Sequence, residues 1–308
     1  LKRYSSHITA IVTVADDGGS SGVLRRELGV LPPGDIRNCL AALSTEEPLL
    51  TRLFQYRFAA GSGLEGHSFG NLFLSALSAI TGNLETAITA SSRVLAVQGQ
   101  VVPATNVDVQ LWAELENGQR IEGESNIGHA PSPIVRLGCS PERPPALPRA
   151  LEAIANADLI VLGPGSLYTS LLPNLLVPEL VSAIKRSRAP RLYICNLMTQ
   201  PGETDGLDVR GHIRAIEAQL ASLGIEPKLF NAVLAQDDLP DSDLVRYYKT
   251  RGANPVHCDA EGLRSDGYDV TQAPLQGVRP TATLRHDSRS LALAVMRFYR
   301  SHRSQNAA

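Results

Sequence analysis

Cysteine is scarce, and what there is does not cluster. Cys39, Cys139, Cys195 and Cys258 are widely separated and form no CxxC pair. That spacing argues against a disulfide framework and against a structural zinc site, and reduced thiols in a cytoplasmic setting are the expectation. Aromatic residues make up only 5% of the chain. No uninterrupted apolar run approaches the ~20 residues that a membrane span needs. Neither charge sign dominates: 29 Lys and Arg face 31 Asp and Glu, for a net charge of −2. No general basic field therefore exists to hold nucleic acid or an anionic lipid surface. Several catalytic signatures are missing as well. There is no GxSxG elbow and no HExxH pair, and neither of the glycine-rich loops described below contains a lysine. Hydrolase, zinc-protease and P-loop chemistry are disfavoured accordingly.

What is present is an alternation of strands and helices in a chain whose 43% hydrophobic content and 308 residues suit one large domain. Lys2 and Arg3 precede an apolar run at residues 8–15, but Thr9 and Thr13 interrupt it. It ends in Asp16-Asp17 with no small-residue cleavage site, so it reads as a buried strand and not a secretion signal. A Gly/Ser loop at 16–22 and a helix from Val23 follow. Asp35 is placed to cap a helix running through Leu43, and further helices are expected at 68–80 and 84–97. Beyond Val101 the period changes to two: Val107, Val109, Leu111, Ala113 and Leu115 alternate with Asp108, Gln110, Trp112 and Glu114, and Asn117-Gly118 supplies a two-residue hairpin turn. This half-exposed hairpin reads as a small flap or edge addition.

A proline-rich stretch, 141–148, leads to a second alternating half. Strands are expected at 158–162, 191–196 and 228–235, and helices at 175–186, 210–223, 241–251 and 288–301. Such an order predicts an α/β fold with a doubly wound, mostly parallel sheet, helices on both faces and a small antiparallel hairpin insertion. Residues 1–98 form its first part, 99–140 the insertion, and 141–308 the rest of the same domain.

Ligands of open parallel sheets sit outside the carboxyl ends of the strands, and three loops there carry more than turn residues. In the first, Asp16, Asp17, Gly18, Gly19, Ser20 and Ser21 combine close-approaching amides, hydroxyls and a helix start. Two carboxylates beside a phosphate make sense if one coordinates Mg²⁺ or accepts from a sugar hydroxyl. In the second, Gly163, Pro164, Gly165 and Ser166 follow a strand directly and form another anion cradle. In the third, Asn196 and Gln200 suit a nucleobase or sugar edge, with Met198 and Thr199 between them. His67 and Asn71 stand at i, i+4 near a helix start, and Arg285-His286-Asp287 precedes the last helix.

The segments ITAIVTVADDGGSSGVLRRELGVLPPGDIRNCLAAL, GHSFGNLFLSAL, GPGSLYTSLLPNLL and CNLMTQPGETDG occur in this order. Together they resemble the YvcK-type gluconeogenesis factors, the bacterial branch of the CofD-like proteins. The resemblance implies a Rossmann-like sheet and a cytoplasmic factor for cell shape and growth on gluconeogenic carbon that binds UDP-sugars such as UDP-N-acetylglucosamine. The CofD branch instead transfers a 2-phospholactyl group from a guanosine dinucleotide to a deazaflavin alcohol with Mg²⁺. By this likeness Asp16 and Asp17 belong to a phosphate or Mg²⁺ site, Gly163 to Ser166 to a phosphate, and Asn196, Met198 and Thr199 to the nucleotide pocket. Arg285 falls in the family's C-terminal basic block, near the bound nucleotide sugar, and the likeness also supports His67 as a site residue. The implied partners are a nucleotide sugar or a related dinucleotide, a second copy of the chain, and proteins of cell shape and division. The family opens with a strand and a GGGTGL-type loop that do not occur here, and residues 1–4 read as the tail of the helix that follows them, so an upstream segment is expected. The low aromatic content favours a binding regulator over a deazaflavin transferase.

Overall fold

Two groups of parallel strands, each buried on both faces, organise the computed structural model, which describes all residues except 46–47, 238–241, 279–283 and 307–308. Strand β1 (Thr9–Val12) runs parallel to β2 (Gln100–Pro103). Successive side chains of a strand point to opposite faces. Val12 and Val14 therefore pack on Ile36 and Leu40 of α2 (Gly34–Leu43), Leu74 of α4 (Phe69–Thr81) and Ile88 of α5 (Leu84–Val94). Ile11 faces the other way, where Val102 and Ala104 meet Ala150 of α7 (Pro148–Ala155) and Leu180 of α9 (Pro178–Arg186).

The second group is β6 (Ile160–Leu162), β7 (Arg191–Ile194), β8 (Ala232–Gln236) and β9 (Asp269–Ala273), hydrogen-bonded in that order and all parallel. Tyr193, Val233 and Val270 pack on Ile213, Ile216 and Leu220 of α10 (Val209–Ser222). Leu192, Ile194 and Leu234 pack on Val295 and Phe298 of α13 (Ser288–Asn306). Helices thus cover both faces, as the alternation predicts. Each fully buried Leu, Ile or Val in these layers contributes about 1.5–3 kcal/mol.

Helix ends follow local chemistry. Ser68 caps α4 by accepting from the Asn71 amide, and Gly82, at φ 84°, ends it. Asn83 caps α5 by accepting from the Thr86 amide. The helix expected to begin at Val23 starts earlier, as α1 (Gly19–Leu28), and Asp35 is not the cap of α2, whose cap position is Pro33. The helix expected at 175–186 is a π-helical turn (Leu167–Leu171), α8 (Leu172–Leu175) and then α9, with Pro173 and Pro178 in first turns where proline is tolerated. The helix expected at 241–251 is α11 (Ser242–Lys249); residue 241 lies outside the described residues. Strands β2, β9 and the antiparallel pair β10 (Gln276–Val278) and β11 (Leu284–His286) are short and have no clean periodicity.

The insertion differs most from expectation. It is a three-stranded antiparallel sheet, ordered β4 (Arg120–Glu122), β3 (Gln110–Leu115), β5 (Ile134–Ser140). Its turn has three residues, Glu116 to Gly118: the Gly118 amide donates to the Leu115 carbonyl, the Leu115 amide to the Gln119 carbonyl, and Gly118 sits at φ 80°. Nor is it a peripheral flap. Leu111, Ala113, Leu115 and Leu137 join the core built on β7, β8 and α10. The opposite, polar face carries Trp112, which is nonetheless only 9% exposed. Its ring lies against Gly138 on β5 and under the guanidinium groups of Arg120 and Arg136, at 4.1 and 5.2 Å from the ring centre.

No single helix among the described residues is long and apolar enough to cross a membrane. One bent pair, Leu167–Leu175 with Pro178–Arg186, passes on composition, and its Leu167, Leu172 and Val181 are core residues.

A Cβ on Gly138 would lie 2.1 Å from the Trp112 ring. Gly138→Ala is therefore expected to destabilise the protein by about 1–3 kcal/mol through overpacking. Urea unfolding followed by the Trp112 emission checks this.

Candidate functional site

The loop leaving β1 holds two carboxylates with different tasks. Asp16 Oδ1 accepts from the Gly18 amide at 2.9 Å, a local turn that leaves Oδ2 beside Gly34 at the start of α2. A Cβ at position 34 would come within 2.2 Å of that oxygen, so only glycine permits the approach. Asp17 is engaged far along the chain. Its carboxylate accepts from the amides of Glu124 and Ser125, both at 2.9 Å, and from the Ser125 hydroxyl at 2.7 Å. It thereby caps the short helix α6 (Glu124–Ile127), whose cap residue, Gly123, has no side chain to do so.

Gly18 and Gly19 bring the chain into α1. That helix has no side-chain cap and no acidic residue in its first turn, so its leading amides and dipole remain available to an anion. The sequence offers the hydroxyls of Ser20 and Ser21 to a ligand, but the fold spends them on α4. Ser20 Oγ lies 3.0 Å from His67 Nδ1 and accepts from the Ser68 amide. Ser21 Oγ accepts from Asn71 Nδ2 at 3.2 Å. All four side chains are buried, and Asn71 Oδ1 has no partner. His67 stands one residue before the cap of α4 and Asn71 in its first turn, and each reaches a serine of α1.

The loops after β6 and β7 are zipped together. Gly165 donates its amide to Asn196 Oδ1, while Asn196 Nδ2 donates to the Gly165 carbonyl at 2.8 Å. Gln200 Nε2 donates to Ser166 Oγ at 2.7 Å. Gly163, at φ 87°, passes so close to the Ile194 carbonyl that a Cβ there would lie 2.5 Å from it, and Pro164 follows in the same turn. Glu203, 8% exposed, accepts from the Tyr168 amide and the Thr169 hydroxyl, both at 3.0 Å. Its carboxylate thus fills the anion position at this second turn. Met198 bridges to Pro255 and packs, partly buried, against the core, and buried Thr199 exchanges backbone and hydroxyl bonds with Asn254. Arg285 is exposed on β11, but its neighbour His286 reaches the Cys195 carbonyl at the end of β7, 3.2 Å from Nε2.

Helix α6 joins the two regions. The Glu124 carboxyl is pushed up to about 8 by burial and then by the charges of Asp16, Asp35, Asp17 and Glu203. Asp35 is raised to about 6 by burial and by Asp16. Burial also raises Glu203, against the hydrogen bonds of Tyr168 and Thr169. Facing this acidic group is Arg37 of α2, whose buried Nε has no partner and whose charge is disfavoured by burial and by Arg57. Asp35, Arg37 and Glu203 lie inside the quoted motifs, but nothing in their spacing marks them. Glu124 lies in the insertion, and the cap made by Asp17 helps to hold it here.

Among the described residues no three His, Cys, Asp or Glu side chains are arranged to hold a metal ion by themselves. Mg²⁺ commonly binds through one or two carboxylates plus substrate phosphates, and Asp16 Oδ2 has no hydrogen-bond partner among the described residues.

Comparison with known proteins places the chain in a family. The family model described as 2-phospho-L-lactate transferase CofD matches residues 1–276. A provisionally named gluconeogenesis factor of Nostoc sp. is 58% identical over 299 residues; the match covers 97% of this chain and 65% of that relative, just under two thirds of its length. The gluconeogenesis factor of Bacillus subtilis is 46% identical over 95% of this chain and 90% of its own. A crystal structure of a UPF0052-family protein from Bacillus halodurans superposes with a TM-score of 0.88 at 45% identity, covering 94% of this chain and 92% of that one.

Two outcomes follow from the carboxylates. Asp17→Ala strands the donors of α6 and is expected to cost about 1–3 kcal/mol, whereas Asp16→Ala, which relieves crowding, costs less; thermal unfolding of the pair checks the contrast. Because the folded protein keeps the Glu124 proton to about pH 8 and the unfolded chain releases it near pH 4.5, stability contributed by this group is present at low pH and lost as pH rises across that window. Glu124→Gln should therefore reduce the fall in melting temperature between pH 5 and pH 8.

Proposed function

The chain belongs to the CofD family, in its gluconeogenesis-factor branch, and on that premise we propose that it is a cytoplasmic nucleotide-sugar-binding regulator of gluconeogenic growth and cell shape. The observation that carries this reading is the uncapped start of α1, which presents its amides beside the open oxygen of Asp16. A pyrophosphate is the ligand group that suits such a helix start. Mg²⁺ on Asp16, when bound, would neutralise part of its charge.

The second half supplies the nucleoside end. Asn196 and Gln200 rim the turn at Gly163 to Ser166 with amide groups, and His286 lies at the end of β7 with Arg285 next to it. Since Glu203 already takes the donors of Tyr168 and Thr169, phosphate falls to α1, and the turn after β6 lines the sugar or base.

One feature favours a second reading, Mg²⁺-dependent transfer of the CofD type: several carboxylates crowd around Asp16, more than simple binding needs. Finding a transfer product by mass spectrometry, after incubation with Mg²⁺, a guanosine diphosphate-linked donor and a deazaflavin alcohol, would put that reading first.

For the regulator, UDP-N-acetylglucosamine at about 100 times its dissociation constant should stabilise the fold by ~2.7 kcal/mol. The shift in melting temperature should shrink strongly in Asn196→Ala and in Asp16→Asn. No shift with any UDP-sugar, with or without Mg²⁺, overturns the reading.

A further inference from the structure

Beside Asp17, a cavity of about 440 Å³ opens between α1 and the outer face of the three-stranded sheet. Arg25, Arg26, Arg120, Trp112, Gln110 and Glu122 line it. Its volume suits a small metabolite, and neither the loops after β6 and β7 nor His67 contributes to it.

The arginines differ in how much charge they have to give. Arg25 is committed: it pairs with Asp108 at 2.6 Å, donates to the Val109 carbonyl at 3.0 Å, and is 10% exposed along its side chain. Arg26 is exposed and has no ion-pair partner among the described residues. Arg120 lies over the Trp112 ring, and its contact with Glu122, 3.7 Å between two exposed groups, is worth little. The one other acid in the wall, Asp17, is spent on α6. Two guanidinium groups thus stand ready at the mouth of the cavity, and guanidinium forks match phosphate oxygens. Beside them, Glu122 and Gln110 offer the acceptors that hydroxyl groups need.

We propose that this cavity is a second ligand site, distinct from the nucleotide-sugar site, that takes a phosphorylated polyol of sugar-phosphate size. Arg26 and Arg120 hold the phosphate, and Glu122 and Gln110 accept from the hydroxyls. The site backs onto Asp17 of the glycine loop and Gly22 of α1, so an occupant bears on the loop that positions α1.

The chain has a single tryptophan, and it lies in this wall. The test is a titration of the purified protein with glucose 6-phosphate, read by Trp112 fluorescence and by calorimetry, with glucose and inorganic phosphate as controls. A saturable change is expected with glucose 6-phosphate. It should be lost in Arg26→Gln and in Arg120→Gln, both exposed positions whose variants should melt near the parent. It should persist in Asn196→Ala, which separates this site from the nucleotide-sugar reading, and it stands whether or not UDP-sugars bind. Three results overturn the proposal: no saturable signal and no heat with glucose 6-phosphate, an equal response to inorganic phosphate alone, or a response that the two arginine variants retain.

Discussion

The cap that Asp17 places on α6 holds the candidate site together. One carboxylate, at the end of a short parallel strand, satisfies backbone amides more than a hundred positions away. Charge-assisted bonds of this kind are worth roughly 1.5–3 kcal/mol. The bond also fixes geometry. It draws the insertion against the glycine loop and sets Glu124 among Asp16, Asp35 and Glu203.

Crowding like charges costs stability, and the raised carboxyls of Glu124 and Asp35 register that cost. Titratable groups so perturbed concentrate where proteins handle ligands. The two glycine turns are not equivalent in this respect. After β6, the donors of Tyr168 and Thr169 already hold an internal anion, Glu203, and Gly165 is bonded to Asn196. After β1, the leading amides of α1 have no such partner. The start of α1 therefore keeps its leading amides without side-chain partners, whereas the donors after β6 are already taken.

Much of this was legible in the sequence. Near-continuous apolar runs mark β1 and β7 as buried strands, and Ser68, Gly82 and Asn83 announce their helix ends. The glycine-rich loops and the nearness of His67 and Asn71 were visible as well. What escaped depends on distance along the chain. No local pattern tells that Ser20 and Ser21 bond to α4 rather than to a ligand, that Asp35 turns toward Asp16 from the second residue of α2, or that Glu203 fills the turn at 168–169. The insertion was misjudged for a related reason. Period-two alternation shows that one face is apolar but not what covers it, and here β5, whose Val135 and Arg136 break the alternation, supplies a third strand that joins the sheet to the main core.

That placement explains how a helix with an open end can be held still. Its first turn is pinned to α4 through Ser20 and Ser21, and its last turn is pinned to the insertion through Arg25. The insertion is in turn anchored in the core of β7, β8 and α10. Donors fixed in this way lose little freedom when an anion arrives, which is the general route from rigidity to affinity. The insertion thus positions the amides of α1 from behind, and the same sheet that fixes them forms the outer wall where Trp112 and Arg120 lie.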